Sequence, residues 1–283
     1  MTTRARMMIA LLTLLCLAAS ACGENGVEPG APADDPDSLG LQEEDVMRVG
    51  SDLNFPPFEF IEDGVEQGFD IDLMNEIGVR LGVTVEYVNA SFDTIFQQLA
   101  AGEFDAIVSA ITITEERAQT ISFSDPYFEA TQALVVPMES PITGVGDLAE
   151  QEVGAQAGTT GLEYATENFT ESTITEFPEY PAAFASLETG GIDAVLADLP
   201  AADEAVRRSD ALQIVEEIDT DEQYGIGVQQ DNDALLEAIN DALADIIADG
   251  AYERIFSEWF PEVEVPEQFR AEGAEGAGEA EGS

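Results

Sequence analysis

Histidine and lysine are absent from this chain, and cysteine and tryptophan are scarce, at two and one. The side-chain cations are nine arginines, set against 59 aspartates and glutamates, for a formal net charge of −50. Without histidine, the usual general base and metal ligand of neutral-pH chemistry is missing. Cys16 falls inside a leader, so Cys22 is alone in the mature chain, where neither an internal disulfide nor a thiolate metal site can form. No metal or other cofactor is expected. A surface this acidic repels polyanions, which excludes nucleic acid as a partner. It keeps a protein soluble, and it also suits a saline medium in which counter-ions screen self-repulsion. Beyond the leader, no apolar run approaches the ~18 residues a membrane helix needs.

What is present is enough for a real core. Hydrophobic residues make up 45% of 283 positions, which fits one large or two modest domains. Residues 1–21 combine Arg4 and Arg6 with an apolar run from Met7 to Leu17 and small residues before Cys22, the pattern of a secretion signal. Ala19-Ser-Ala-Cys22 resembles the lipobox of bacterial lipoproteins, with Ala19 where those sequences prefer Leu. That resemblance implies cleavage before Cys22, lipidation of Cys22 and display on the outer face of the cytoplasmic membrane. Residues 22–45 are rich in Gly, Pro, Asp and Glu and read as a disordered acidic tether. Residues 263–283 read as a disordered acidic tail for the same reason.

Between them the pattern is α/β. Val46–Gly50 and Val83–Val88 read as strands. Asp70–Leu81 reads as a helix with Ile71, Met74, Ile77, Val79 and Leu81 mostly on one side, ended by Gly82. Phe92–Ala101 reads as a helix with Phe92, Ile95, Phe96 and Leu99 on one face. Asp233–Ala248 is strongly periodic through Leu236, Ile239, Leu243 and Ile246. Further short strands are expected at or near Ala155, Ile174–Phe177, Ile192–Ala197 and Tyr224–Val228. Strands alternating with helices predict parallel α/β sheets.

The central stretch is Ile107-Val-Ser-Ala-Ile-Thr-Ile-Thr-Glu-Glu-Arg117. Its apolar start predicts a strand buried on both faces, and Thr114 with Glu115 and Glu116 predicts a helix N-terminus. Arg117 then lies at a strand-to-helix edge, where open α/β sheets bind ligands. A planar guanidinium beside the hydroxyls of Ser109, Thr112 and Thr114 suits a carboxylate; a surface pairing with Glu115 or Glu116 is the plainer alternative.

One internal echo organises the rest. Phe96-x-x-Leu-x-x-Gly-x-Phe-Asp105-Ala recurs as Phe184-x-x-Leu-x-x-Gly-x-Ile-Asp193-Ala, at a constant offset. Each copy reads as helix, glycine cap, and strand opening with Asp, so Asp105 and Asp193 are structural caps. The first copy leads to Arg117 and the second to Asp198. Two α/β lobes of this kind would face a cation and an anion across a cleft, an arrangement that matches a zwitterion.

These motifs, together with Val49-Gly-Ser-Asp-Leu-Asn-Phe-Pro-Pro-Phe-Glu-Phe60, Gly68-Phe-Asp-Ile-Asp-Leu73, Gln156-Ala-Gly-Thr-Thr160 and Asp249-Gly-Ala-Tyr-Glu-Arg-Ile-Phe-Ser-Glu-Trp-Phe260, resemble the family 3 extracellular solute-binding proteins, the polar amino-acid receptors of bacterial ABC importers. The resemblance runs in order over about 46–262. It implies a two-lobe periplasmic-binding-protein-like fold of type II, its ligand cleft lying between lobes joined by two crossover segments near Ala130–Ala133 and Gly225–Val228. Lobe one would comprise 46–131 plus 227–262, and lobe two 132–226. It further implies that Arg117 clamps a ligand carboxylate and that Asp198 holds the ammonium. Ser109, Thr112 and Thr160 would offer polar groups, Phe55 and Phe92 would sandwich the side chain, and Asp52 would meet its far end. Phe58, Trp259 and Phe260 read as packing, and Asp125 before Pro126 as a turn residue.

Asp52 with two apolar walls suits arginine or lysine, and also glutamine, whose amide can donate to it. Glutamine receptors of this family carry Lys where Gln156 stands, which favours a cationic ligand. The expected partners are that amino acid, a membrane ABC permease and a lipid anchor, for a monomer without chemistry of its own. Alternatives of another class are a cyclohexadienyl dehydratase-like enzyme on the same fold and a free-standing sensor protein.

Overall fold

A computed structural model describes residues 39–271. The leader and Cys22 lie outside the described residues. In chain order the elements are β1 (Val46–Ser51), β2 (Asn54–Phe55), β3 (Glu59–Glu62), β4 (Val65–Gln67), α1 (Phe69–Leu81), β5 (Thr84–Asn89), α2 (Phe92–Ala100), β6 (Ala106–Ile107), β7 (Ile121–Phe123) and β8 (Phe128–Pro137). There follow β9 (Glu152–Gln156), α3 (Thr160–Asn168), β10 (Thr173–Phe177), α4 (Tyr180–Glu188), β11 (Ala194–Asp198), α5 (Leu199–Arg208), β12 (Leu212–Tyr224), β13 (Gly227–Gln229), α6 (Asp233–Ala248) and α7 (Ala251–Trp259).

Two five-stranded sheets result, in the orders β5-β1-β6-β13-β7 and β10-β9-β11-β8-β12, with a small β2-β3-β4 sheet beside the first. In each large sheet four strands run one way and a single strand, β13 in the first and β8 in the second, runs against them, so the sheets are mixed and not purely parallel as expected. Those two are the strands by which the chain enters each sheet from the other.

The echo is three-dimensional. Asp105 N–H donates to Arg48 O, and its carboxylate accepts the N–H groups of Arg48 (2.8 Å) and Gln42 (2.9 Å). Asp193 N–H donates to Glu152 O, and its carboxylate accepts Glu152 N–H at 2.8 Å. Each aspartate thus ties the start of its strand to the neighbouring one, the capping role expected of both.

Chain β7 leaves the first sheet at Phe123 and β8 enters the second at Phe128; the return runs from Tyr224 to Gly227. Between them β8 and β12 form a ribbon, Phe128 opposite Tyr224, that gains β11 as a neighbour only at Gln132. Aromatic rings pack this crossing: Phe58 lies 5.0 Å from Phe128, Phe128 5.6 Å from Tyr224 and 5.2 Å from Phe260, centroid to centroid. Phe58 and Phe260 are therefore packing residues. Trp259 covers an edge and donates its indole N–H to Asp72 at 2.7 Å.

Three expectations need correction. The strand expected through Ile113 lasts only from Ala106 to Ile107, and residues 108–113 are irregular apart from a bridge between Thr112 and Tyr224, buried as far as Thr112. Its backbone groups are met outside the ladder, Ala110 N–H by Asp70 and Ile113 N–H by Gln223 O, while Ala110 takes φ +45°. The helix expected after Thr114 is a single 3₁₀ turn, Arg117–Gln119; Thr114 Oγ1 does accept Arg117 N–H at 3.1 Å. Within α1, Val79 is 72% exposed, because Phe69, Leu73 and Gly78 complete the buried face instead.

The folded part also reaches further than 46–262. Leu39 is buried and its carbonyl accepts from Asn232, while Gln42 bonds Asp105. Phe269 is buried against Tyr252, with ring centroids 5.1 Å apart. A single apolar side chain at each end is enough to fasten polar sequence that composition alone assigns to tether or tail.

Candidate functional site

All eight residues expected at a ligand site line one crevice. Asp52, Phe55, Phe92, Ser109, Thr112 and Arg117 come from the first sheet's side, Thr160 and Asp198 from the second's, drawn in around a nearly closed space of about 10 Å³. Ala110, Gln156, Thr159 and Tyr180 complete the lining. The parts of the fold that place them are loops at strand ends. Asp52 follows β1, Arg117 ends the irregular segment after β6, and Asp198 closes β11 and starts α5, where Pro200 sits in the first turn. Thr160 opens α3, with Thr159 as cap accepting Leu162 N–H at 3.1 Å.

Arg117 makes none of the ion pairs among the described residues, so the alternative of a pairing with Glu115 or Glu116 does not hold. Its guanidinium is held by main-chain carbonyls, Thr112 O at 2.7 Å and Gly158 O at 2.9 Å. It lies over the rings of Phe92 (5.4 Å) and Phe96 (4.7 Å), which fix its plane by cation–π contact. Burial pulls its pKa down, with the nearby charges of Glu163, Glu222, Asp198 and Glu116 opposing, and an arginine stays charged, so it lines the crevice as a cation bonded directly to no carboxylate.

Asp198 is held by side-chain donors, Tyr224 hydroxyl at 2.7 Å and the Gln132 amide. Burial, with the neighbouring Glu222 carboxylate as second cause, raises its pKa to about 7. Asp52 accepts from the Gln156 amide at 2.7 Å and is raised by burial to about 6. Both acids therefore keep a proton to higher pH than a free carboxylate does, and a cation beside them would lower both values.

The hydroxyls behave differently from expectation. Ser109 donates to Glu59 (2.5 Å), and both Thr112 (2.6 Å) and Thr160 (2.8 Å) donate to Glu222. Their protons are engaged by carboxylates, which leaves lone pairs and neighbouring backbone to the crevice. Glu222, on the crossing strand, thereby ties Thr112 on one side to Thr160 on the other. Composition hid Glu222 among so many acids; only its burial separates it. Tyr180 was missed too. Its ring lies 5.5 Å from Phe55, and its buried hydroxyl has no hydrogen-bond partner among the described residues.

Lobe contact is close at Gly158, which has φ +79°; a Cβ there would stand 2.9 Å from Asp93 Cα. No cluster among the described residues is arranged to hold a metal ion, and no described helix is long and apolar enough to cross a membrane.

The family model of bacterial extracellular solute-binding proteins, family 3, matches residues 47–262. A probable histidine-binding protein of Neisseria gonorrhoeae is 34% identical, covering 89% of this chain and 94% of its own. The ABC transporter arginine-binding protein 1 of Escherichia coli is 34% identical, covering 80% and 95%. Among solved structures, an ancestral arginine-binding protein bound to glutamine superposes with TM-score 0.75 at 39% identity, covering 78% of this chain and all of its own. An arginine-, lysine-, histidine-binding protein from Geobacillus stearothermophilus gives 0.74 at 35%, covering 79% and 98%. The structural neighbours are two-lobe binding proteins, and this chain belongs to the bacterial extracellular solute-binding proteins, family 3.

Proposed function

We propose that the chain captures a polar amino acid, preferably a cationic one of the arginine or lysine type, by closing its lobes over it for delivery to an ABC permease. The observation that carries this reading is a single crevice holding an unpaired guanidinium, Arg117, from one sheet and a carboxylate, Asp198, from the other, with Asp52 as a second buried acid. Arg117 takes the α-carboxylate through parallel N–H bonds and Asp198 takes the α-ammonium. Asp52 takes the side-chain cation, with Phe55, Phe92 and Tyr180 around the stem. A fully charged ligand leaving water needs a partner for each charge, and only the closed form supplies all of them. Ser109, Thr112 and Thr160 act mainly by setting the carboxylates and backbone that face the ligand.

The names of the relatives support this choice: those above bind histidine or arginine, and another in Escherichia coli is a lysine/arginine/ornithine-binding protein. Glutamine is the second reading. Gln156 already shows an amide donating to Asp52, and the solved ancestral protein holds glutamine. The lobe boundary is placed in the β8–β12 ribbon, giving 46–131 plus 227–262 and 132–226. Cys22 is taken as the lipid anchor of a monomeric, non-catalytic protein; turnover of prephenate or arogenate by purified protein would overturn the last point.

A thermal-shift screen of purified protein against the twenty amino acids and common polyamines tests the assignment. Melting should rise with the logarithm of ligand concentration, most for arginine or lysine. Polyamines, which lack a carboxylate for Arg117, should do little. A larger shift with glutamine selects the second reading, and no shift with any amino acid refutes both.

A further inference from the structure

Two acids beneath the crevice have no part in the scheme above. Glu59 on β3 and Asp70 in the first turn of α1 are both wholly shielded from solvent. No arginine among the described residues pairs with either. Asp70 Oδ2 accepts Ala110 N–H at 2.7 Å and the Tyr127 hydroxyl at 2.9 Å. Glu59 Oε1 accepts the Ser109 hydroxyl at 2.5 Å, and Ser109 Oγ in turn accepts Asp52 N–H at 3.1 Å. The remaining oxygens, Glu59 Oε2 and Asp70 Oδ1, have no donor. Other titratable groups around them are Asp52, Tyr87, Tyr127 and Tyr252, none of which brings positive charge.

We propose that Glu59 and Asp70 share one proton and act together as positioning residues, holding Ser109, Ala110 and, through Ser109, the backbone of Asp52 in place along the crevice. Two buried carboxylates side by side cannot both ionise, and a proton between them satisfies both free oxygens at once. Burial first, and for Glu59 the Asp70 charge second, push both groups up, Asp70 to about 7. The pair fixes the direction of the Ser109 hydroxyl and the left-handed backbone of Ala110, φ +45°, both of which line the crevice. This outer strut is a property of lobe one alone; Asp198 has Tyr224 and Gln132 in its place.

Glu59→Gln tests the proton. The amide donates to Asp70 and accepts from Ser109 without one. The pair's folded pKa is raised, so its stabilisation is complete below the unfolded values and is lost as pH rises towards the folded one. Between about pH 5 and pH 7, above the unfolded carboxylate values and up to the folded one, the wild-type unfolding constant should therefore climb about tenfold more per pH unit than that of E59Q, the mark of one extra proton in the folded state. Asp198 titrates alike in both proteins and drops out of the difference, and repeating the comparison in an Asp52→Asn background removes the coupling of Asp52 to Glu59. Infrared difference spectra of wild type against E59Q should show one protonated-carboxyl C=O band in wild type beyond those of Asp52 and Asp198. Should E59Q fold poorly, Asp70→Asn supplies the same amide bridge and should remove the same slope. Equal slopes in wild type and both variants would overturn the shared proton.

The positioning role is read separately. Glu59→Ala should weaken arginine binding roughly tenfold by leaving buried partners unpaired, while E59Q stays near wild type. An unchanged affinity in E59A would overturn it. This second arm rests on the amino-acid reading. If no amino acid binds wild type, that reading fails while the proton measurements still decide the pair.

Discussion

The two halves of the echo share a scaffold and differ at their outlets. In both, a helix runs into a glycine and then a strand whose opening aspartate caps its neighbour. Yet β6 ends after Ile107 and the chain wanders, buried and irregular, to Arg117, whereas β11 stays in its sheet to Asp198 and passes directly into α5. The cation is held by carbonyl oxygens and aromatic faces, the anion by a phenol and an amide. Scaffold and site thus obey different demands. The scaffold needs a repeated ladder, while the site needs opposite charges that no ladder prescribes.

Breaking the outlets should have the largest effect. Arg117→Ala is expected to lose about 2–5 kcal/mol of ligand affinity by leaving a carboxylate unpaired. Near 4 kcal/mol, a micromolar Kd becomes roughly millimolar. Asp198→Asn should be comparably damaging from the other side. Calorimetric titration measures both, and an Arg117→Ala protein that titrates like wild type removes the assigned role.

Selectivity comes next. Asp52→Ala should weaken arginine far more than an apolar amino acid, since only the cation meets that carboxylate. Equal losses would show that Asp52 does not select.

Protonation sharpens the contrast between the two acids and Arg117. Asp198 near 7 and Asp52 near 6 are raised by burial, so both carry protons more readily in the empty protein than a free carboxylate does. A cationic ligand lowers both, and binding should release protons near pH 6.5, less so above about pH 8, with arginine affinity falling as pH drops. Titrations in buffers of different ionisation heat measure this; identical heats at pH near 6.5 would contradict it.

The smallest effect lies in the scaffold. Asp105 accepts two backbone N–H groups and Asp193 one. Asp105→Ala and Asp193→Ala should each cost about 1–3 kcal/mol of stability, the first more, with little change in ligand affinity per folded molecule. Denaturant unfolding reads the difference, and equal costs would undo the ranking.

Periodicity carried α1, α2 and α6 to within a residue or so, because amphipathic faces are local patterns. It misplaced Val79 because thirteen residues of helix offer more apolar positions than one packing face needs. It also overextended the strand after Ile107. An apolar run reports burial, and burial here is met by hydrogen bonds to Asp70 and Gln223 that lie far away in sequence. Tyr180, Gln132 and Glu222 were invisible for the same reason. Each matters through a partner on another element, and in a chain crowded with acids another glutamate carries no signal.

Sequence by itself determined the alternation of helices and strands, the duplicated unit, and the residue types offered to a ligand, since all of these are written in short-range pattern or resemblance. Tertiary structure alone decided which acids are buried, which hydroxyls already have their protons engaged, and where the chain crosses between sheets. Those properties belong to pairs of groups brought together from distant positions, and desolvation, which sets their charge, exists only once the chain has closed around them.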